Sequence, residues 1–236
     1  MSSSATQTSN SSETDTKETL DLGNGSEVVY YPRFLPQNQS YQWLEYLDKK
    51  IPWTRPEIHV FGRSCLQPRD TCYVANKGLQ ELEYSGYQPL AYSWDDFPPL
   101  KAILELIHET LPGSKFNSLL LNRYKIGTDY VSWHSDDEKL YGPTPEIASI
   151  SFGCEREFLL RKREKTPKLS MATSTKYNTS SEQSKASRLE QRSFVLKHGS
   201  MLVMRGYVQR DWVHSIPKRA KANTVRINLT FRQVLN

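Results

Sequence analysis

The chain has 236 residues, with 31 Lys or Arg against 26 Asp or Glu and a formal net charge of +5. That length suits one catalytic domain with a buried core and argues against a second full domain, while so modest a basic excess does not by itself select nucleic acid as a partner. Cys65, Cys72 and Cys154 form neither a CxxC pair nor an even-numbered framework, which favours a reducing compartment over secretion; no apolar run reaches the length of a membrane span, so no membrane partner is expected.

Residues 1–26 are rich in Ser, Thr, Asn and acidic side chains and read as a disordered tail, leaving 27–236 as the domain. The tail has no Arg and no apolar core, so neither a mitochondrial presequence nor a signal peptide is expected. A nuclear address follows as the expectation, with the cytoplasm second. Tyr41, Trp43, Leu44 and Leu47 predict an amphipathic helix from Gln39 to Lys50, ended by Ile51-Pro52. A second helix starts at Pro99 behind Asp95 and Asp96; Leu100, Ile103, Leu104, Ile107 and Leu111 fall at helical spacing before Pro112-Gly113 stops it.

From Asn117 onward the pattern changes to short strands, at 117–124, 129–134, 147–153, 156–163, 193–197, 200–205, 211–214 and 223–234. Antiparallel strands following two helices predict a mainly β (α+β) fold, a jelly roll with helices backing one sheet. Residues 164–192 interrupt the series with Ser, Thr, Lys, Glu and Gln, and read as a flexible hairpin insertion. Lys165, Lys168, Lys176, Lys185 and Arg188 make it either a nucleic-acid-contacting flap or a solvated loop.

Three residues carry the chemistry. His134, Asp136 and the distant His214 supply two imidazoles and one carboxylate, the facial set that holds non-haem Fe(II) and leaves positions open for O2 and a co-substrate. The closing strand adds to this. Side chains alternate along a strand, so Arg226, Asn228, Thr230 and Arg232 share one face while Val225, Ile227, Leu229 and Phe231 take the other. Two cations and an amide facing a cavity suit a dicarboxylate such as 2-oxoglutarate; either Arg could pair with its C5 carboxylate. A hydrolytic Zn(II) site is disfavoured, because HExxH is absent and the Arg-Asn-Arg face has no role in it. His59, His108 and His198 lack companion ligands and read as structural.

These motifs resemble the AlkB family of Fe(II)- and 2-oxoglutarate-dependent nucleic-acid dealkylases, in particular its eukaryotic DNA-repair branch. The resemblance runs from about Ile58 to Val234 through Phe116–Tyr124, Trp133–Glu138, Ile147–Gly153, His198-Gly199-Ser200 and Arg226–Arg232, in family order. It implies a double-stranded β-helix, with Asn122, Tyr124 and Asn228 joining the two arginines around the co-substrate. It further implies oxidation of an alkyl C–H bond on damaged DNA or RNA by a monomeric enzyme, with loss of formaldehyde from a methylated base.

For the substrate, the resemblance implies a flipped base stacked by Tyr84, with Tyr87 as a second aromatic, and met by Asp137 and Glu138. Phe61, in Val60-Phe61-Gly62, resembles an apolar finger that fills the vacated stack; Arg161, Lys162 and Arg163 resemble a basic strand end facing phosphates. Two rivals remain. One is an oxygenase of the same chemistry acting on a protein or small molecule, and the other a catalytically silent nucleic-acid-binding module.

Overall fold

The computed structural model describes residues 17–60, 62–164 and 190–235. In chain order the elements are β1 (Glu18–Gly23), β2 (Ser26–Tyr31), α1 (Gln37–Lys50), β3 (Glu57–Val60), β4 (Arg63–Leu66), β5 (Asp70–Ala75), β6 (Ala91–Tyr92), α2 (Pro98–Thr110) and β7 (Ser118–Tyr124). There follow β8 (Val131–His134), β9 (Ile147–Gly153), β10 (Arg156–Lys162), β11 (Gln191–Leu196), β12 (Ser200–Gly206), α3 (Val208–Asp211), β13 (Trp212–Ile216) and β14 (Arg226–Arg232).

Eight strands form one sheet in the order β1-β2-β12-β9-β14-β7-β5-β6, and β11-β10-β13-β8 form a second. Helices α1 and α2 cover the outer face of the large sheet. There Leu47, Leu100, Ile103 and Ile107 pack with Leu119, Leu121, Ile227, Leu229 and Phe231. The inner face meets the small sheet through Tyr124, Ile147, Phe158, Leu160, Leu202 and Trp212. Helices backing one sheet of a jelly roll is the predicted arrangement, and α2 begins on the Pro98-Pro99 pair, whose fixed φ suits a first turn.

The expected tail over residues 1–26 is corrected at its end. Residues 18–23 form β1, paired with β2, and Asn24-Gly25 at φ 55° and 72° closes the hairpin. That dipeptide is a strong two-residue turn signal, but β1 buries little apart from Leu22, so its polar composition masked it. Strands β3 to β6 also have no counterpart in the sequence reading. The β3–β4 hairpin stands apart from both sheets and is exposed except at Ile58, so it shows no core-facing alternation. Most of the proposed 164–192 insertion, and Phe61, lie outside the described residues.

An ion network ties α1, β5 and β7 behind the cavity. Asp70 accepts from Arg55 at 2.7 Å, Arg123 at 2.8 Å and Lys125 at 3.1 Å, while Arg123 also reaches Asp48 at 2.9 Å. Burial alone would raise the Asp70 carboxyl, but the hydrogen bonds from Arg55, Arg123 and Lys125 outweigh it and hold it below the usual carboxylate range. A carboxyl depressed in the folded state stabilises the fold above its unfolded pKa and loses that contribution as pH falls through the folded value. Asp70→Asn should therefore cost about 2–3 kcal/mol at neutral pH, less than a fully buried pair because Arg55 and Lys125 keep water contact. Urea melts from neutral pH down to acid should also show a flatter stability profile in the variant than in the wild type. Parallel profiles would show that Asp70 does not titrate with folding.

Candidate functional site

A cavity of about 670 Å³ opens between the two sheets, lined by side chains from β7, β8, β14, β13 and the loops around Gln67 and Tyr84. His134, Asp136 and His214 meet at one end, with one ligand atom from each within 4.8 Å of the others. Antiparallel pairing does this, because β13 sets His214 directly opposite His134 on β8. Each imidazole Nε2 lies 3.9 Å from an oxygen of Asp136, and the two rings lie 4.2 Å apart.

The His134 ring is oriented by the carbonyl of Ser132, 2.8 Å from Nδ1. A carbonyl only accepts, so Nδ1 carries the proton and Nε2 offers its lone pair towards Asp136. Burial, with the neighbouring His134, pushes His214 down to about 3, so its ring stays neutral at physiological pH. Burial would raise the Asp136 carboxyl, but the Arg232 guanidinium beside it holds it well below the usual range. Two neutral imidazoles and one carboxylate form a donor set matched to a divalent transition metal.

Strand β14 lines the other side. Its seven residues are all buried, yet their chemistry alternates as predicted: Ile227, Leu229 and Phe231 enter the outer core, while Arg226, Asn228, Thr230 and Arg232 line the cavity. Arg226 donates to Ser151 Oγ at 3.1 Å and Asn228 Oδ1 at 2.8 Å, but its Nε and Nη1 are buried with no acceptor. The guanidinium lies 5.0 Å from the Tyr124 ring centroid, so the strand pair β7–β14 sets both. Gly153 stands opposite Arg226, and a Cβ there would meet the Val225 carbonyl oxygen at 2.2 Å, so only glycine permits this approach. Arg232 instead donates to Asp136 Oδ2 at 2.9 Å and lies 5.3 Å from the centre of the Tyr141 ring. The two arginines thus do different things, a distinction that spacing alone left open.

Asn122 also lines the cavity and accepts from Arg69 Nε at 2.7 Å. Asn228 is held on both ends, accepting from Arg226 and Ser149 and donating to Thr230 Oγ1 at 2.7 Å. Asp137 and Glu138 border the metal end; burial raises the Glu138 carboxyl, and its Oε2 has no hydrogen-bond partner. Tyr84 lines the mouth and donates to Gln67 Oε1 at 3.2 Å. Tyr87 differs from expectation. It is not among the residues lining the cavity and packs edge-on against Tyr84, ring centroids 5.7 Å apart, across the Ser85-Gly86 turn.

The three basic residues ending β10 also divide. Arg161 lies over the Trp133 ring at 4.4 Å and has no carboxylate partner among the described residues. Lys162 pairs with Glu190 at 3.2 Å, and Arg163 with Asp137 at 2.8 Å, touching Ser135 as well. Sequence reasoning missed Arg69, Tyr141 and Gln209, whose Oε1 accepts from the Asp136 backbone N–H at 2.9 Å. It also missed the exposed Lys218, Arg219 and Lys221, of which Lys218 lies 4.8 Å from the Tyr130 ring centroid. None sits within a motif, and only folding brings Arg69, Tyr141 and Gln209 to the site.

Residues 27–232 match the 2OG-Fe(II) oxygenase superfamily. The chain is 62% identical over 231 residues to the DNA oxidative demethylase ALKBH2 of Arabidopsis thaliana, covering 98% of this chain and 74% of that one. It is 35% identical over 213 residues to human alpha-ketoglutarate-dependent dioxygenase alkB homolog 3, covering 89% and 66%. Human ALKBH2 is 33% identical over 178 residues, covering 75% and 61%. The solved structure of OsALKBH1 superposes with a TM-score of 0.52 at 16% identity, covering 87% of this chain and 97% of that one, which is a likeness of fold.

One stability test follows from the Asp136–Arg232 contact. Without metal, a buried carboxylate loses its cation in Arg232→Met, which should cost about 3–5 kcal/mol. Added Mn(II) should recover more of the melting temperature in this variant than in the wild type, because the ion replaces the missing charge. Equal recovery in both proteins would separate Arg232 from the metal end.

Proposed function

Because the chain belongs to the 2OG-Fe(II) oxygenase superfamily, and within it to the AlkB family, we propose that it is a dioxygenase removing alkyl groups from damaged DNA bases. The observation that carries this reading is Arg226. It lines the same cavity as the His134, Asp136 and His214 cluster, and its Nε and Nη1 are buried with no hydrogen-bond partner. A buried cation on the cavity wall with its donors incompletely matched suits the C5 carboxylate of 2-oxoglutarate.

In this proposal His134, Asp136 and His214 hold Fe(II). Arg226 and Tyr124 take the far carboxylate of the co-substrate, Asn122 donates to it, and Asn228 keeps Arg226 in place. Arg232 neutralises Asp136 and faces the near carboxylate. When bound, iron, 2-oxoglutarate and O2 supply the oxidation of an alkyl C–H bond, with succinate and CO2 as by-products; a hydroxylated N-methyl group leaves as formaldehyde. The chain's own residues bind and orient the base. Tyr84 closes over one face of an extruded base, His134 borders the other, and Glu138 meets its exocyclic amine. The raised Glu138 carboxyl and unpartnered Oε2 support a polar contact there. Asp137, held by Arg163, shapes the same loop.

Arg161 is the residue proposed to meet phosphate, since Lys162 and Arg163 already have acidic partners. RNA as a further substrate, a monomeric state and a nuclear address complete the proposal. A protein or small-molecule substrate, the main rival, would give no role to Tyr84 at the cavity mouth or to Arg161.

Mass spectrometry of methylated DNA and RNA oligonucleotides, with and without Fe(II) and 2-oxoglutarate, tests the reading. Demethylated product and succinate should form together, and Asp136→Ala, His134→Ala and His214→Ala should each abolish both. Fe(II)-dependent turnover persisting in Asp136→Ala would remove the metal assignment. Separately, Arg161→Ala should lower the salt-dependence slope of DNA binding by about one, as read by fluorescence anisotropy across a salt series. An unchanged slope would place Arg161 off the nucleic-acid path.

A further inference from the structure

Arg69 lines the cavity beside Asn122, Tyr130 and His134, on the segment between β4 and β5. Its Nε donates to Asn122 Oδ1 at 2.7 Å and its Nη1 reaches the Tyr130 carbonyl at 3.5 Å. A guanidinium has donors only, so the end of the Asn122 amide that meets it must be the oxygen. That contact turns the amide one way. Oδ1 is occupied by Arg69, and Nδ2 remains the end without a partner among the described residues.

The orientation matters because the cavity is built for an anion. An amide turned the other way would set a carbonyl oxygen towards carboxylate oxygens, exchanging a hydrogen bond for repulsion. Asn228, directly opposite Asn122 in the β7–β14 register, is fixed by the same device. Arg226 and Ser149 donate to its oxygen, and its nitrogen donates to Thr230. Two neighbouring amides are therefore each oriented by an arginine, Asn122 by the distant Arg69 and Asn228 by Arg226 on its own strand.

Resting on the co-substrate reading above, we propose that Arg69 is a positioning residue for 2-oxoglutarate binding, acting through Asn122. It locks the amide so that Nδ2 is presented to the ligand, and the ordering is in place before the ligand arrives. Half-exposed at the cavity mouth, Arg69 would otherwise be read as a phosphate contact for nucleic acid. The two roles separate experimentally.

Calorimetric titration of 2-oxoglutarate into the Mn(II)-loaded full chain, with no oligonucleotide present, reads binding without turnover. Arg69→Ala should weaken 2-oxoglutarate roughly tenfold, the scale of one hydrogen bond to a charged group. Arg69→Gln, whose amide N–H2 can still donate to Asn122 Oδ1, should recover most of that loss. In an Asn122→Ala background, Arg69→Ala should add nothing, since the two act as one unit. An equal, additive loss in that background would overturn the proposal by showing that Arg69 touches the ligand directly. Unchanged 2-oxoglutarate affinity in Arg69→Ala, with weakened and less salt-dependent oligonucleotide binding, would overturn it in favour of the phosphate contact. If the wild-type protein itself binds no 2-oxoglutarate with Mn(II), the co-substrate reading fails, and this proposal falls with it.

Discussion

A guanidinium buried with two N–H groups unmatched is a costly thing to build into a protein, and the cavity is arranged around that cost at Arg226. Several groups share in holding it. The Arg226 and Arg156 guanidiniums lie 5.0 Å and 5.5 Å from the Tyr124 ring centroid, so one aromatic ring serves two cations. Ser151 and Asn228 accept from a single Nη2, and the rest of the fork, Nε and Nη1, is buried with no hydrogen-bond partner. Burial lowers the Arg226 pKa, yet a guanidinium does not lose its proton in a protein, so the site keeps a positive charge that an anion would relieve. Anything that binds there stabilises the fold by mass action as well as filling the space.

The metal end handles charge in the opposite way. Asp136 is fully engaged, with Arg232 on one oxygen and both imidazoles near, and its backbone N–H is tied to Gln209. The carboxylate is therefore ionised and fixed in place with no ion present. The cavity has one end internally neutralised and ready for a cation, and another deliberately left positive.

Much of this was legible in the chain because strands write their faces in alternate residues. The period-two pattern in Arg226–Arg232 separates core from cavity in the sequence itself, and α2 is equally clear from its apolar spacing. The clustering of these three residues was readable because His134 and Asp136 lie two apart and His214 precedes the alternating strand. What stayed hidden shares a physical reason. Residues in β3, β4 and β1 bury too little to show a period, so their strands look like loops. Arg69 and Gln209 act through partners 53 and 73 positions away, and no local pattern reports a hydrogen bond of that span. The difference between Arg226 and Arg232 was invisible for the same reason, since only the register with Gly153 and the approach of Asp136 distinguishes them.

The position of β14 carries a consequence for how this chain can change length. It is hydrogen-bonded along its whole span on both sides, to β7 and to β9. Adding or deleting one residue inside it would invert everything downstream of the change, sending Leu229 and Phe231 towards the cavity and Thr230 and Arg232 into the apolar layer under the helices. Neither neighbour could follow, because each is itself clamped by another strand. Single-residue indels should therefore be absent from this segment in any functional descendant of the sequence. Length variation is left to places such as the exposed β3–β4 hairpin, where no second strand holds the register.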